Sequence, residues 1–198
     1  MKNRKTLKMV QLAILTAIVL IFAFTPLGYL KTPAVEITFL CIPVAVGAIV
    51  LGPAEGAFLG LVFGLTSFFQ AATATSTFGA ALMNISPVFT FILCIVPRVL
   101  CGLLPAYIFR GLCRIKKLHI LPHAIAAFSC AALNTVFFVG GLMLLFGRSD
   151  YISGMQAGKT VLAFAAAFVG LNGVIEAAVT LIVGGAVSKG ILKALHRA

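Results

Sequence analysis

Long apolar runs separated by short polar segments make up most of this sequence. A helix needs about 20 residues to cross the hydrocarbon core of a bilayer. The uncharged runs therefore predict an all-α integral membrane protein, built as a compact bundle of six transmembrane helices. We place the six spans at residues 9–30, 37–52, 56–70, 80–112, 122–146 and 159–195.

One uncharged run, residues 56–97, is too long to be a single spanning helix. Its 42 residues would extend about 63 Å at 1.5 Å per residue, roughly twice the thickness of the hydrocarbon core. The run must therefore break. Residues 71–79 are small and polar, which makes them the predicted place for the break.

The composition supports a membrane protein and limits the number of domains. Of the 198 residues, 62% are hydrophobic and 10% are charged, whereas a soluble domain carries about 25% charged residues. The length suits one six-span domain covering residues 1–198. It leaves no room for a soluble ATPase, kinase or nucleic-acid-binding module.

The net charge of +11 is explained by membrane topology rather than by nucleic-acid binding. Positive residues are enriched on the cytoplasmic side of membrane proteins. With both termini in the cytoplasm, eleven Lys and Arg residues lie inside and three outside. The inside residues form three clusters: Lys2, Arg4, Lys5 and Lys8; Arg110, Arg114, Lys116 and Lys117; and Lys189, Lys193 and Arg197. The outside ones are Lys31, Arg148 and Lys159.

The reactive residue types do not suggest catalysis or metal binding. The five cysteines contain no Cys-x-x-Cys pair, so we interpret them as small packing residues without a disulfide framework or a zinc site. The three histidines have no metal-ligand spacing. Paired carboxylates and nucleophile–base pairs are missing too, so we expect neither an enzyme nor a cofactor.

Two ionisable residues, Arg98 and Glu176, lie alone inside apolar spans. Charged groups at membrane depth are costly, about 2.5–3.5 kcal/mol on insertion scales, and usually mark functional sites. Arg98, Glu176 and Asn134 each lie 12 or 13 residues from the predicted inner boundary, which is about 18–20 Å in a helix. They therefore share one level near the midplane. Asn172 lies on the same helical face as Glu176, one turn further outward.

These polar residues allow two interpretations. In one, Arg98 and Glu176 form a buried salt bridge, and the asparagines hold helices together through hydrogen bonds. In the other, they line a cavity in which the planar guanidinium binds an anionic group and the remaining groups bind hydroxyls or amides. Further polar residues lie toward the predicted outer face, among them Thr38, Ser67 and Asn84. They make the interior of the outer half of the bundle more polar, which favours entry of a ligand from outside.

Small residues recur at four-residue spacing in two spans. Gly56, Gly60 and Gly64 in the third span let two backbones approach closely, and we interpret them as packing within the bundle. Ala13 and Ala17 show the same spacing in the first span, next to the basic N-terminus. Those alanines could pack internally or meet a partner protein.

The combination of these features resembles one known family, the substrate-binding membrane subunits (S components) of energy-coupling factor (ECF) vitamin transporters. The resemblance covers nearly the whole chain. It rests on six spans after a basic N-terminus, on the helix 1 alanines and on residues 42–53, which lead into the glycine-spaced helix. Residues 97–102 and 172–177, with a proline–arginine and an asparagine–glycine…glutamate pattern, are most similar to the pantothenate type.

The resemblance implies a mechanism and residue roles. Arg98 would bind the pantothenate carboxylate, and Asn134, Asn172 and Glu176 would line the pocket. Ala13 and Ala17 would contact a separate transmembrane coupling protein, which acts with two cytoplasmic ATPase subunits to release the vitamin inward. An S component for another vitamin (riboflavin, folate, a thiamine precursor or a pyridoxine-type compound) remains an alternative.

Two further classes remain open from the residues themselves. A proton- or sodium-coupled secondary transporter would use Glu176 as its coupling carboxylate, although the chain is short for that class and shows no inverted repeat. In a structural or assembly protein, Arg98 and Glu176 would merely pair with each other.

Overall fold

The structure is a computed structural model that describes residues 2–26, 28–31, 36–114, 121–149, 151–152, 154 and 173–195. Its long elements are helices, and a short β-hairpin lies between the first two of them. In chain order these elements are α1 (Lys2–Phe24), β1 (Tyr29–Lys31), β2 (Glu36–Thr38), α2 (Cys41–Val50), α3 (Pro53–Ala72), α4 (Thr77–Ile85), α5 (Pro87–Leu112), α6 (Leu121–Phe146) and α7 (Gly173–Ala194).

Five of the described helices are long and apolar enough to cross a membrane: α1, α3, α5, α6 and α7. The shorter α2 has ten residues, about 15 Å at 1.5 Å per residue. This length cannot span the hydrocarbon core. Within the described residues the protein is therefore a multi-pass helical membrane protein, and the count of six spans stays a prediction.

The segment between α1 and α2 corrects two predicted spans and adds a short hairpin to the helical bundle. Strands β1 and β2 pair antiparallel, with Leu30 opposite Ile37. The span expected at 9–30 ends at Phe24, because Pro26 disfavours helical conformation in the residue before it. The span expected at 37–52 is replaced by the end of β2 and the short α2.

The helix expected at 80–112 is two helices. Ser86 adopts an extended backbone (φ −160°, ψ 110°) between α4 and α5. The following Pro87 disfavours helical geometry at Ser86 and occupies the first turn of α5, where a missing N–H costs nothing. The Ser86 hydroxyl accepts a hydrogen bond from the Phe89 N–H and caps α5.

The break expected within residues 71–79 is present between Ala72 and Thr77. Ala74 has a positive φ of 55° there, and the Ser76 hydroxyl accepts from the Gly79 N–H to start α4. Of the span expected at 159–195, residues 159–172 lie outside the described part. The remainder is α7, whose turn Thr180–Gly184 is π-helical.

The helices α3 and α5 form the most extensive contact of the described bundle, and glycines make it possible. A Cβ atom on Gly60 would overlap the carbonyl oxygen of Arg98, and one on Gly56 would overlap that of Gly102. Gly64 makes a similar close approach further along the helix. The glycine spacing is therefore used within the bundle, and it holds the α5 backbone at Arg98 directly against α3.

Gly60→Ala tests this contact. The added methyl meets backbone rather than a movable side chain, so we expect the free energy of unfolding to fall by about 1–3 kcal/mol. Gly140→Ala on α6 is the matched control, because nothing lies within 4 Å of its added methyl. Thermal unfolding of both variants in detergent measures the difference. Equal stability of the two variants would contradict the close approach.

The ends of several helices meet at one end of the bundle. Lys8 of α1 forms a 2.6 Å ion pair with Glu55 in the first turn of α3. A pocket of about 240 Å³ brings together the end of α2, Arg110 of α5 and Leu192 of α7. Lys8 of α1, Arg110 at the end of α5 and the C-terminal part of α7 thus lie near the same end of the bundle. The side of the membrane on which this end lies stays a prediction.

Candidate binding site

Arg98 projects from the middle of α5 and is half-buried. Two aromatic rings flank its guanidinium: its central carbon lies 4.7 Å from the ring centroid of Phe138 on α6 and 5.4 Å from that of Phe63 on α3. Such cation–π contacts contribute about 0.5–2 kcal/mol each, more when water is excluded. They stabilise the charge without neutralising it.

The residue before Arg98 explains its backbone contact. Pro97 lies inside α5 and has no N–H, so the carbonyl of Leu93, four residues earlier, loses its usual helical donor. The Arg98 Nη1–H donates to this carbonyl oxygen at 2.8 Å. The arginine thus satisfies an acceptor on its own helix that the proline has freed.

The guanidinium keeps donors for a further partner. Its Nε–H is buried and has no hydrogen-bond partner within the part of the chain that the structure describes. The Glu176 carboxylate is near enough to attract the Arg98 guanidinium electrostatically. Among the described residues, however, the only ion pair within 4.0 Å joins Lys8 and Glu55. The direct Arg98–Glu176 salt bridge, one of the two interpretations of the sequence, is therefore not formed.

Glu176 lies on α7 and is 6% exposed. The Cys41 thiol, at the start of α2, donates to its Oε1 with an S–O distance of 2.8 Å. Asn134 of α6, which is 5% exposed, also interacts with the carboxylate through its side chain. The Asn134 Oδ1 is buried and unpaired among the described residues. The structure thus brings Glu176 and Asn134 together and leaves acceptor groups for hydroxyls or amides.

Several neighbours of this site were missed by the sequence reasoning. Phe63 and Phe138 look like ordinary apolar residues of spanning helices, and only packing reveals that they flank a cation. Cys41 carries no local signal for its contact with Glu176. Thr180 follows Glu176 by one helical turn, and its buried hydroxyl has no partner among the described residues. The four-residue spacing from Glu176 could have revealed it.

The cysteines are less scattered than their sequence positions. Cys41, Cys101 and Cys130 come from three helices, are fully buried, and interact through their side chains. Cys94 is also buried, in agreement with a packing role, whereas Cys113 at the end of α5 is exposed. None of the described cysteines forms a disulfide.

The other predicted site residues lie in different settings. Thr38 is buried, and its hydroxyl accepts a hydrogen bond from the Leu40 N–H at 3.3 Å, so it organises the entry to α2. Ser67 of α3 is half-buried, and Asn84 of α4 is exposed. Asn172 lies outside the described residues. Among the described residues, the structure therefore brings Arg98, Asn134 and Glu176 close to one another. It shows no hydrogen bond from the described side chains of Thr38, Ser67 or Asn84 to these three.

The face of α1 that carries Ala13 and Ala17 is exposed. Within the most apolar window of α1, 11% of the residues are buried, against 28–39% in the other four long helices. Larger apolar side chains flank the alanines on this face, among them Val10, Ile14 and Ile21. The α1 face is thus the least covered apolar surface of the described long helices.

The family model of the ECF transporter substrate-specific component matches residues 7–184. The chain belongs to this family. An S component of this kind is a membrane-embedded transport subunit, in agreement with the apolar helices described above.

Two relatives carry names that specify a substrate. The pantothenic acid transporter PanT of Lactococcus lactis subsp. cremoris (strain MG1363) is 33% identical over 159 residues, which cover 75% of this S component and 79% of the relative. The pantothenate transporter PanT of Leuconostoc mesenteroides subsp. mesenteroides is 35% identical over 122 residues, covering 59% of this chain and 57% of the relative.

Proposed function

We propose that this S component captures pantothenate from outside the cell and delivers it to an ECF module. The observation that carries the proposal is the state of Arg98. Its guanidinium lies over two aromatic rings, keeps a buried Nε–H without a partner among the described residues, and forms no ion pair with Glu176. A carboxylate ligand supplies the missing acceptor and charge. The names of the two relatives support pantothenate as that ligand.

The remaining groups suit the rest of pantothenate, which carries an amide and two hydroxyls. The Glu176 carboxylate and the Asn134 amide oxygen accept hydrogen bonds from hydroxyl and amide donors. Asn172, Ser67, Thr38 and Asn84 stay proposed as further lining residues toward the outer face. In this arrangement the protein binds and transfers the vitamin without altering it chemically.

The partners follow from family membership and from the α1 face. We infer that a transmembrane coupling protein docks against Ala13 and Ala17, and that two cytoplasmic ATPase subunits supply the energy. Small side chains on an exposed helix face allow another helix to approach closely in lipid. The basic helix ends support a cytoplasmic location for both termini, the side on which we infer that the ATPases act.

Equilibrium binding to the purified protein in detergent tests the substrate. We expect saturable, tight binding of pantothenate and no comparable binding of riboflavin, folate, thiamine or pyridoxine. Heat-denatured protein is the control for nonspecific partition into micelles. Tight binding of one of the other vitamins would retain the family and overturn the pantothenate assignment.

A further inference from the structure

A proline in the middle of a helix is unfavourable because it removes a backbone hydrogen bond and crowds the carbonyl four residues earlier. Two such prolines, Pro97 and Pro105, lie inside α5. At Pro97 the structure shows what takes the lost donor's place. The freed Leu93 carbonyl accepts the Arg98 Nη1–H at 2.8 Å.

This contact restrains a flexible side chain. An unrestrained arginine carries a large rotamer entropy, which binding would have to remove. Here one guanidinium nitrogen is anchored to the Leu93 carbonyl, and the guanidinium carbon lies within 5.4 Å of the centroids of two aromatic rings. The close approach at Gly60 also holds the backbone of Arg98. The donors that are not used are thereby oriented before a ligand arrives, which is a condition for high affinity.

We propose that Pro97 is a positioning residue, which frees the Leu93 carbonyl so that it anchors the Arg98 guanidinium for a carboxylate ligand. The proposal rests on the proposed function and deepens it. Any other residue at position 97 supplies an N–H that bonds to the Leu93 oxygen and completes the helix. The guanidinium then shares the Leu93 oxygen with this N–H and is held less firmly in its orientation, while the charge itself remains.

Pro97→Ala tests this role through the recognition of the carboxylate. The probes are pantothenate and its neutral alcohol analogue, in which a hydroxymethyl group replaces the carboxylate. We expect Pro97→Ala to weaken pantothenate binding about tenfold or more, as for a misaligned charge-assisted hydrogen bond. Binding of the alcohol analogue should change less than about twofold, because it does not need the oriented cation.

Pro105→Ala is the matched control. It restores an N–H in the same helix, opposite the Cys101 carbonyl, whereas the guanidinium donates to the Leu93 carbonyl. We expect it to leave the ratio of the two ligand affinities unchanged. Pro97→Gly is a second variant, since it introduces the same N–H with a more adaptable backbone and should show the same selective loss.

The outcomes distinguish failure of the positioning role of Pro97 from failure of the proposed function. If the wild-type protein binds pantothenate, an unchanged affinity ratio in both Pro97 variants overturns the positioning role, as does an equal loss for both ligands. A selective loss of pantothenate affinity in these variants, absent from Pro105→Ala, supports it. If the folded wild-type protein binds no pantothenate, the proposed function fails, and the carboxylate-specific role of Pro97 fails with it.

Discussion

Arg98→Ala is expected to abolish high-affinity pantothenate binding. Removing one partner of a desolvated charge pair costs about 2–5 kcal/mol, which corresponds to a roughly 30-fold to several thousand-fold rise in Kd. The loss is expected because Arg98 is the only Lys or Arg within the apolar interior of the described spans. Titration calorimetry on the purified variant measures it.

Arg98→Lys separates the contribution of the charge from that of the planar guanidinium. Lysine at position 98 keeps the charge but lacks the planar fork, so it cannot donate to Leu93 and to both carboxylate oxygens in the same geometry. Arg98→Lys should therefore bind pantothenate with an affinity between those of wild type and Arg98→Ala. A graded series would show that both charge and shape are used.

Arg110→Ala is the matched control for Arg98→Ala. It removes the same charge from the same helix, at the exposed end of α5 and remote from the aromatic pair. We expect its pantothenate affinity to equal that of wild type. Thermal unfolding of each variant establishes that it is folded. Undiminished binding by a folded Arg98→Ala protein would eliminate the carboxylate role.

Ala13→Trp and Ala17→Trp are expected to separate binding from transport. Both positions are exposed on α1, so a large ring is accommodated in lipid without disturbing the bundle. Pantothenate binding in detergent should stay within about twofold of wild type. Uptake into cells that contain the complete ECF module should fall to the background level, because an indole at either position prevents close helix approach.

Leu144→Trp is the control for the tryptophan variants. Leu144 lies on α6 and is 84% exposed, so its replacement adds the same ring to another apolar surface. We expect normal binding and normal uptake. Co-purification with the coupling protein gives a second measurement, which should fail for the α1 variants alone. Wild-type uptake by both alanine variants would eliminate α1 as the coupling face.

Local signals in the sequence predicted the positions of several helices. Charge-free runs of spanning length predicted the positions of α3 and α6 to within three residues at either end. The small polar segment 71–79 located the break between α3 and α4. These predictions hold because each helix that crosses a bilayer must satisfy its own backbone hydrogen bonds. The length of the helix can therefore be predicted from the apolar run that forms it.

The predicted helix bounds were wrong where a proline interrupts an apolar run. Pro26 and Pro87 were available in the sequence, yet spans were extended across both of them. The hairpin of β1 and β2 was missed because its three-residue strands have too little alternation to stand out from an apolar run. In both cases backbone geometry decided the structure, and hydrophobicity did not distinguish the alternatives.

The sequence by itself determined the class of protein and the family resemblance. It also singled out Arg98 and Glu176 as candidate site residues, because a charge at membrane depth stands out against its neighbours. Only the tertiary structure decided that these two residues do not pair directly. It also assigned Cys41 to Glu176 and the two phenylalanines to Arg98. Such contacts join helices far apart in the chain, and their geometry depends on how closely the backbones pack. That closeness is set at Gly60, where a single methyl group would move Arg98 away from α3.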